Sequence, residues 1–339
     1  MKVLLSGSVA YDYLMTFPGY FRDHIISDQL KSLSLSFLVD SLVRRRGGIA
    51  PNIAYTMALL GERPAILATV GEDFEEYRAF LERVGVETRY IKVIPGETTA
   101  SFFANTDLAQ AQIASFYPGA MAHAATLSIA DLDERPDLVV VSPDAPQAMR
   151  KRVQECKTLG IPYFYDPSQQ TVRFGGEELL EGVDGAAALF CNEYEFALIQ
   201  QKTGLSAEEI RQRVPLVVVT RGEKGTTITV EGEDICVPAV PPRQVVDPTG
   251  VGDAFRGGFL KGYLHGLSLD LAGRLGALAA TYCLEAQGPQ GHTYTREEFL
   301  ARFREAFGEE AARHIEAILV HPGDASHLAG NQPGSQDTK

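Results

Sequence analysis

Short apolar runs punctuate the chain at Val3–Leu5, Ile66–Val70, Leu138–Val141, Tyr163–Tyr165, Leu189–Cys191 and Leu216–Val219. Several are apolar at every position, as expected of strands covered on both faces of a parallel sheet. Helical stripes lie between them. Ile53, Met57 and Leu60 fall at i, i+4 and i+7 before Gly61, and Phe74, Tyr77, Leu81 and Val84 precede Gly85 in the same way. A glycine directly after such a stripe is a common helix stop. Strands alternating with helices predict βαβ units, hence an α/β fold with a doubly wound, mostly parallel sheet flanked by helices.

Two segments break that rhythm. Residues of about 13–46 lack a long helical period, and Ser32–Phe37 alternates strictly in twos, which predicts a strand. In residues of about 88–120, Thr98–Asn105 and Gln112–Phe116 flank an Asn-Thr-Asp-Leu turn, which predicts a hairpin. Together they predict a small β-sheet lid over one end of the core. Further on, Thr295-Arg296-Glu297-Glu298 is a capping box followed by Phe299, Phe303 and Phe307. From about Pro322 the chain turns polar. The expected organisation is one domain over 1–322, lid insertions included, and a disordered tail at 323–339.

Charge and composition narrow the function classes. The 31 basic and 44 acidic residues leave a net charge of −13, which opposes binding to nucleic acid or an anionic membrane. No apolar run approaches the roughly 18 residues of a membrane-spanning helix. The start, Met1–Gly7, reads as a strand and turn rather than a signal peptide, so a cytoplasmic protein is expected. The four cysteines stand at least 35 residues apart and read as reduced core thiols, and the seven histidines form no HExxH pair. A zinc enzyme is disfavoured.

The densest chemistry lies in Asp247-Pro248-Thr249-Gly250-Val251-Gly252-Asp253-Ala254-Phe255-Arg256-Gly257-Gly258-Phe259. Pro248 and the glycines favour a turn, and a helix is predicted from Asp253 to about His265. Gly250, Val251 and Gly252 then offer successive backbone N–H groups at a helix N-terminus, an anion site. Asp253 beside it has two readings. It could merely offset the helix dipole, a contribution under about 1 kcal/mol. It could instead be a general base where a hydroxyl attacks a bound phosphate.

This segment resembles the C-terminal signature of the PfkB, or ribokinase-like, kinases. Gly47-Gly48-Ile49-Ala50-Pro51-Asn52-Ile53-Ala54, followed by Gly61 and Gly71, resembles that family's N-terminal signature. One departure is Val251, where the family usually has a smaller residue; its N–H donor survives the change. The resemblance implies a ribokinase-like fold and transfer of the ATP γ-phosphoryl to a primary hydroxyl, with Asp253 as base and Gly250, Val251 and Gly252 as anion hole. A P-loop mechanism is excluded because no GxxxxGK[ST] occurs, and Gly7 does not open a dinucleotide GxGxxG.

The resemblance also assigns roles elsewhere. Asn192-Glu193-Tyr194-Glu195 looks like the family's N-x-x-E motif, which ties Glu195 to Mg²⁺ through water; an ordinary helix N-cap is the alternative. Thr220-Arg221-Gly222-Glu223-Lys224-Gly225 is similar to the T-x-G-x-x-G turn lining the ATP site, or is a plain turn between strands. Asn192, Thr220, Gly222, Gly225 and Gly288 are thereby assigned to ATP, and Ala286–Gly288 and His292 to the adenine pocket. Asp247 and Thr249 match positions that often hold a monovalent cation such as K⁺. Ser8 and Asp12, after the first strand, are assigned to the acceptor, with Asp12 accepting from two adjacent hydroxyls. Gly47 and Gly48 would permit close approach of the acceptor, and Asn52 would add a polar contact.

For the acceptor, SGSVAYD at the start, GERPAILATVGEDF, IASFYPGAM and GPQGHTYTREEF look like the bacterial adenosine-kinase-like branch. Phe17, Phe37, Phe102, Phe103, Phe116 and Tyr117 could stack on a base, or could form the lid's own small core. Arg44-Arg45-Arg46 is either a cluster for a second phosphate or a solvated strand end. The expected activity is phosphorylation of a nucleoside 5′-hydroxyl, adenosine first. The alternatives are a sugar kinase acting on ribose, fructose or a related ketose, and a non-catalytic nucleoside-binding protein, which the intact Asp253 disfavours. The partners expected are small molecules only, and a monomer and a homodimer paired through the lid both stay open.

Overall fold

The protein is described by a computed structural model covering residues 1–25 and 34–319. The chain begins with β1 (Val3–Ser6), β2 (Ala10–Thr16), β3 (Ser41–Gly47), α1 (Ile49–Leu59), β4 (Ala65–Val70), α2 (Glu75–Val84) and β5 (Ile91–Val93). A hairpin, β6 (Ala100–Thr106) and β7 (Gln112–Tyr117), precedes β8 (Leu138–Val141), α3 (Pro146–Leu159), β9 (Tyr163–Tyr165), α4 (Gly176–Val183) and β10 (Ala188–Asn192). Then come α5 (Glu193–Thr203), α6 (Ala207–Arg213), β11 (Leu216–Thr220), β12 (Thr226–Val230) and β13 (Glu233–Val237). Four helices finish the described chain: α7 (Val251–Leu264), α8 (Leu269–Leu284), α9 (Arg296–Phe307) and α10 (Glu309–Glu316).

Nine strands form the large sheet in the order β13-β12-β11-β10-β9-β8-β1-β4-β5. Pairing is parallel from β11 to β5 and antiparallel only in the β11-β12-β13 meander. The apolar runs read from sequence are its central strands, buried on both faces by helices. From β1 the chain moves out to β4 and β5, then returns to β8 on the other side of β1. Such a reversal opens a crevice beyond the carboxyl ends of the strands, where ligands bind in α/β folds. Helix α7 forms one wall of it. A Cβ at Gly257 would lie 2.7 Å from the Thr56 side chain and one at Gly258 2.6 Å from the Leu275 carbonyl, so glycines alone let α7 approach α1 and α8 this closely.

A second sheet of four strands, β3-β2-β6-β7, lies apart from the first. Its boundaries differ from the expected insertions. Strand β2 already starts at Ala10, and Ile91–Val93 pairs with β4 at the edge of the large sheet. Of the strand expected at Ser32–Phe37, the described part, Ser34–Phe37, is irregular, and Ser32 and Leu33 lie outside the described residues. The strand forms later, at Ser41–Gly47, where its backbone pairs with β2 over seven residues. The hairpin of β6 and β7 is as expected, and β7 is exposed at every position. The polar tail at 323–339 lies outside the described residues.

Two further readings change. All eleven residues of α1 are buried, so the Ile53 stripe saw only part of a helix covered on every side. Cys156, Cys191 and Cys283 are buried free thiols, but Cys236 on strand β13 is exposed. Among the described residues no helix is long and apolar enough to cross a membrane.

Candidate active site

A turn at Gly250 and a helix after it are present, but α7 starts at Val251 rather than the expected Asp253. Gly250 is the N-cap, at φ +78°, and a Cβ there would lie 2.3 Å from Pro289. That left-handed turn starts the helix at the next residue. The Val251 N–H makes only a long contact of 3.4 Å to the Pro248 carbonyl, while the Gly252 and Asp253 amides find no acceptor among the described residues. Free donors at a helix N-terminus are a ready anion site.

Asp253 projects from the first turn of α7 and is half-buried. Its Oδ2 accepts from the Asn52 side-chain amide at 2.9 Å. Burial pushes its pKa up to about 7, although Arg256 and the Asn52 bond favour the ionised form; Asp166 and Glu195 add to the rise. A carboxylate poised near neutrality can take a hydroxyl proton.

Arg256, one turn further along α7, anchors this corner. It donates to the Gly252 carbonyl at 2.9 Å and to Asp166 Oδ1 at 2.6 Å. Both partners of that ion pair are buried, with side chains 8% and 1% exposed. Asp166 follows β9 at the carboxyl end of the sheet and also accepts from Ser142. Neither residue was singled out from sequence. Arg256 lies inside the quoted motif, three positions after Asp253, and that one-turn spacing was the available signal.

Asn192 and Glu195 form a reciprocal capping box on α5, each backbone N–H bonded to the other's side chain at 2.8 Å. The N-cap reading is therefore satisfied, and Glu195 also faces Arg256 and Asp166. Burial raises the Glu195 pKa against the Asn192 hydrogen bond and Arg256. Thr220 sits level with Asn192 on the neighbouring strand. Gly222 and Gly225 shape the turn from β11 to β12. These four thus lie at adjacent strand ends and the turn that follows them.

Asp12 stands on the lid strand β2, opposite Arg45 on β3. Burial raises its pKa to about 6 against the pull of Arg45, with Asp247 adding to the rise. A Cβ at Gly47 would meet Asp12 Oδ2 at 2.6 Å, and one at Gly48, where φ is +93°, the Ser8 carbonyl at 2.5 Å. The two glycines thus bring the lid return, Ser8 and Asp12 together. The three arginines of β3 are not a cluster. Arg44 lies over the Tyr11 ring, Arg46 pairs with Glu76, and Arg45 reaches the Asp247 and Gly288 loop, 3.8 Å from Asp247 Oδ2.

Asp247 accepts from the Thr249 N–H at 2.9 Å, the Gly288 N–H at 3.0 Å and the Gln287 side chain at 3.1 Å. Burial pushes its pKa up, but bonds from Thr249 and Gly288, with Arg45 nearby, outweigh it and hold the carboxyl below its usual range. Its oxygens thus tie two loops together, and Gly288 belongs to this junction. His292 does not reach a pocket. It is 2% exposed, against Tyr55 and Thr56 of α1, and burial lowers its pKa to about 3.

The lid aromatics sort themselves. Phe17, Phe21 and Phe37 pack on one another with ring centroids 5.0–5.4 Å apart, a small core of their own. Phe103 stacks on Tyr13 at 4.8 Å. Phe102 and Phe116 instead lie in register with Asp12 and Arg45, so these four side chains share one face of the lid.

Comparisons with known proteins bear on the family and the fold. Residues 9–296 match the pfkB family carbohydrate kinase pattern. A nucleoside kinase of Methanothermobacter thermautotrophicus is 30% identical over 312 residues, 91% of this chain and 97% of that protein. The structure of Burkholderia thailandensis nucleoside kinase in complex with inosine is 40% identical, with a TM-score of 0.81 over 91% of this chain and 98% of that one; the same enzyme has been solved with ADP-inosine. An adenosine kinase from Sinorhizobium meliloti, 23% identical with a TM-score of 0.69 over 90% of this chain and 99% of that one, shares the fold. With two signature segments, a ribokinase-like fold and a match over most of its length, this chain belongs to the pfkB family of carbohydrate kinases and is a kinase.

Proposed function

We propose that this kinase transfers the γ-phosphoryl of ATP to the 5′-hydroxyl of a nucleoside, with purine nucleosides, inosine and adenosine, as its first acceptors. The observation that carries the reading is the cross-strand row Asp12–Phe102–Phe116 on one face of the lid. Neighbouring strands lie about 4.8 Å apart, close to the span from the hydroxyl edge of a ribose to its base. Asp12 would accept from the two ribose hydroxyls, and the rings would cover the base. A free sugar has no flat face for them. The similarity to a nucleoside kinase solved with inosine supports the same class.

The remaining residues take the roles that phosphoryl transfer requires. The Gly252 and Asp253 amides face the negative oxygens, Asp253 accepts the hydroxyl proton, and Arg256 holds the Gly252 carbonyl and Asp166 in place. Asn192, Thr220, Gly222 and Gly225 would line the ATP side. No cluster of three His, Cys, Asp or Glu among the described residues could hold a metal ion directly. Glu195 is a hard oxygen donor suited to Mg²⁺ that keeps its waters, whereas both Asp166 oxygens are already engaged by Arg256 and Ser142. Bound with ATP, Mg²⁺ would neutralise phosphate charge. Asp247 and Thr249 have a weaker claim on K⁺, since N–H donors already fill the Asp247 carboxylate.

The reading is tested by incubating purified protein with Mg-ATP and inosine or adenosine and identifying the product by mass spectrometry and ³¹P NMR. A nucleoside 5′-monophosphate is expected. Its absence for every nucleoside tried, with ATP binding intact and ribose or fructose phosphorylated instead, would overturn it.

A further inference from the structure

Asn52 is held as tightly as it holds. Its Nδ2 donates to Asp253, and its Oδ1 accepts from Gln290 Nε2 at 2.8 Å. The same Gln290 nitrogen donates to the Tyr77 hydroxyl, which in turn donates to the Gly47 carbonyl at 3.0 Å. Tyr77 is fully buried, and Asn52 and Gln290 nearly so. The polarity of this chain is forced. An ionised carboxylate only accepts, so Asn52 must turn its NH₂ to Asp253 and its carbonyl to Gln290, which must then present its own NH₂. In that orientation the Gln290 Oε1 is buried with no partner among the described residues. A buried acceptor left unsatisfied is unfavourable, so the orientation is kept despite a loss.

We propose that Gln290 is a positioning residue: through Asn52 it fixes the Asp253 carboxylate, and through Tyr77 it ties that carboxylate to Gly47, where lid strand β3 meets α1. The chain leaves Asp253 Oδ1 free for the acceptor hydroxyl while Oδ2 is held. It also links the return of the lid to the geometry of the base. Sequence spacing conceals this, since Gln290 lies 238 residues from Asn52 and 213 from Tyr77.

The inference rests on Asp253 acting as base. Other charged and titratable groups facing Asp253 are Arg256 on α7, Asp166 after β9, Glu195 on α5 and Cys283 on α8. None of them touches Gln290, so altering Gln290 changes one input to the carboxylate. Losing the fixed Asn52 amide removes a bond to the ionised form and moves the acid limb of the rate profile to higher pH.

The test is kcat/KM against pH for wild type, Gln290→Leu, Tyr77→Phe, Asn52→Leu and the Asn52→Leu/Gln290→Leu double variant, each checked for folding by thermal melting. Gln290→Leu is expected to raise the acid limb and reduce kcat/KM roughly fivefold below it, the share of one hydrogen bond. Tyr77→Phe, which removes a single oxygen, should move the limb less and in the same direction. The double variant should match Asn52→Leu alone. A uniform fall at every pH, or a Gln290 effect that persists in full without Asn52, overturns the proposal. If Gln290→Leu does not fold, Tyr77→Phe decides. Asp253→Asn serves as control: if it turns over normally the base reading fails, whereas its inactivity with unmoved limbs in the other variants refutes Gln290 alone.

Discussion

The floor of the crevice and the lid are built on opposite plans. On the floor, Asp253, Arg256, Asp166 and Glu195 project from a strand end and the first two turns of helices, and Arg256 and Asp166 are nearly sealed from solvent. The lid presents Asp12, Phe102 and Phe116 from strands of a small separate sheet, and Phe116 is 46% exposed. Groups held by rigid elements keep the geometry that transfer demands. Groups on a thin, half-covered sheet can be exchanged without touching that geometry. On the proposed function, the contrast separates acceptor choice from reaction: the floor would carry the transfer, and the side chains of the lid would select what is presented to it.

The sharpest break in that comparison is chemical. Asp253→Asn should cut kcat by roughly 10²–10⁴-fold, the usual share of a general base. Nucleotide affinity, measured by calorimetry with ADP, should stay nearly constant. Next comes the floor's integrity. Arg256→Leu leaves Asp166 buried without its partner and should destabilise the fold by about 3–5 kcal/mol, read by urea unfolding.

The lid should respond differently. Asp12→Ala should raise the KM for a nucleoside roughly 10–100-fold, as for lost hydrogen bonds to a charged group, and change kcat less. Phe102→Ala should raise the KM for a nucleoside by up to about tenfold while leaving that for ribose unchanged.

The smallest effect expected is one of pH. With Asp253 raised from 3.8 to about 7 by burial, the carboxylate that accepts the proton is lost as pH falls through that value. The kcat/KM of the free enzyme should therefore decline on the acid side of about pH 7. For stability the sign is opposite. A raised carboxyl favours the protonated fold, so its contribution is full below about pH 4 and is lost as pH rises through 7.

The two regions also differed in how far they could be read from sequence. The floor's glycine turn and Asp253 lie within thirteen consecutive residues, Asp247–Phe259, so the candidate chemistry was visible as one motif. The parallel strands were visible because burial on both faces leaves unbroken apolar runs. The lid was harder. Ser32–Phe37 alternates as a strand would, yet the pairing strand is Ser41–Gly47, which carries Arg44, Arg45 and Arg46 and no apolar alternation. Its register comes from backbone pairing with β2, which side-chain pattern does not encode. What joins distant segments was not visible at all. Arg45 reaching Asp247, Asp166 meeting Arg256, and Gln290 meeting Asn52 are contacts that only the folded chain creates.

The most direct test of the separation of floor and lid is the ratio of kcat/KM for inosine to that for ribose, measured by ADP release with Mg-ATP. The account predicts a clear preference for inosine in the wild type. Phe102→Ala should shrink the ratio, and Arg256→Lys, a change in the floor, should lower both rates together. Ribose turned over as well as inosine by the wild type, or a ratio unmoved by Phe102→Ala, would contradict it.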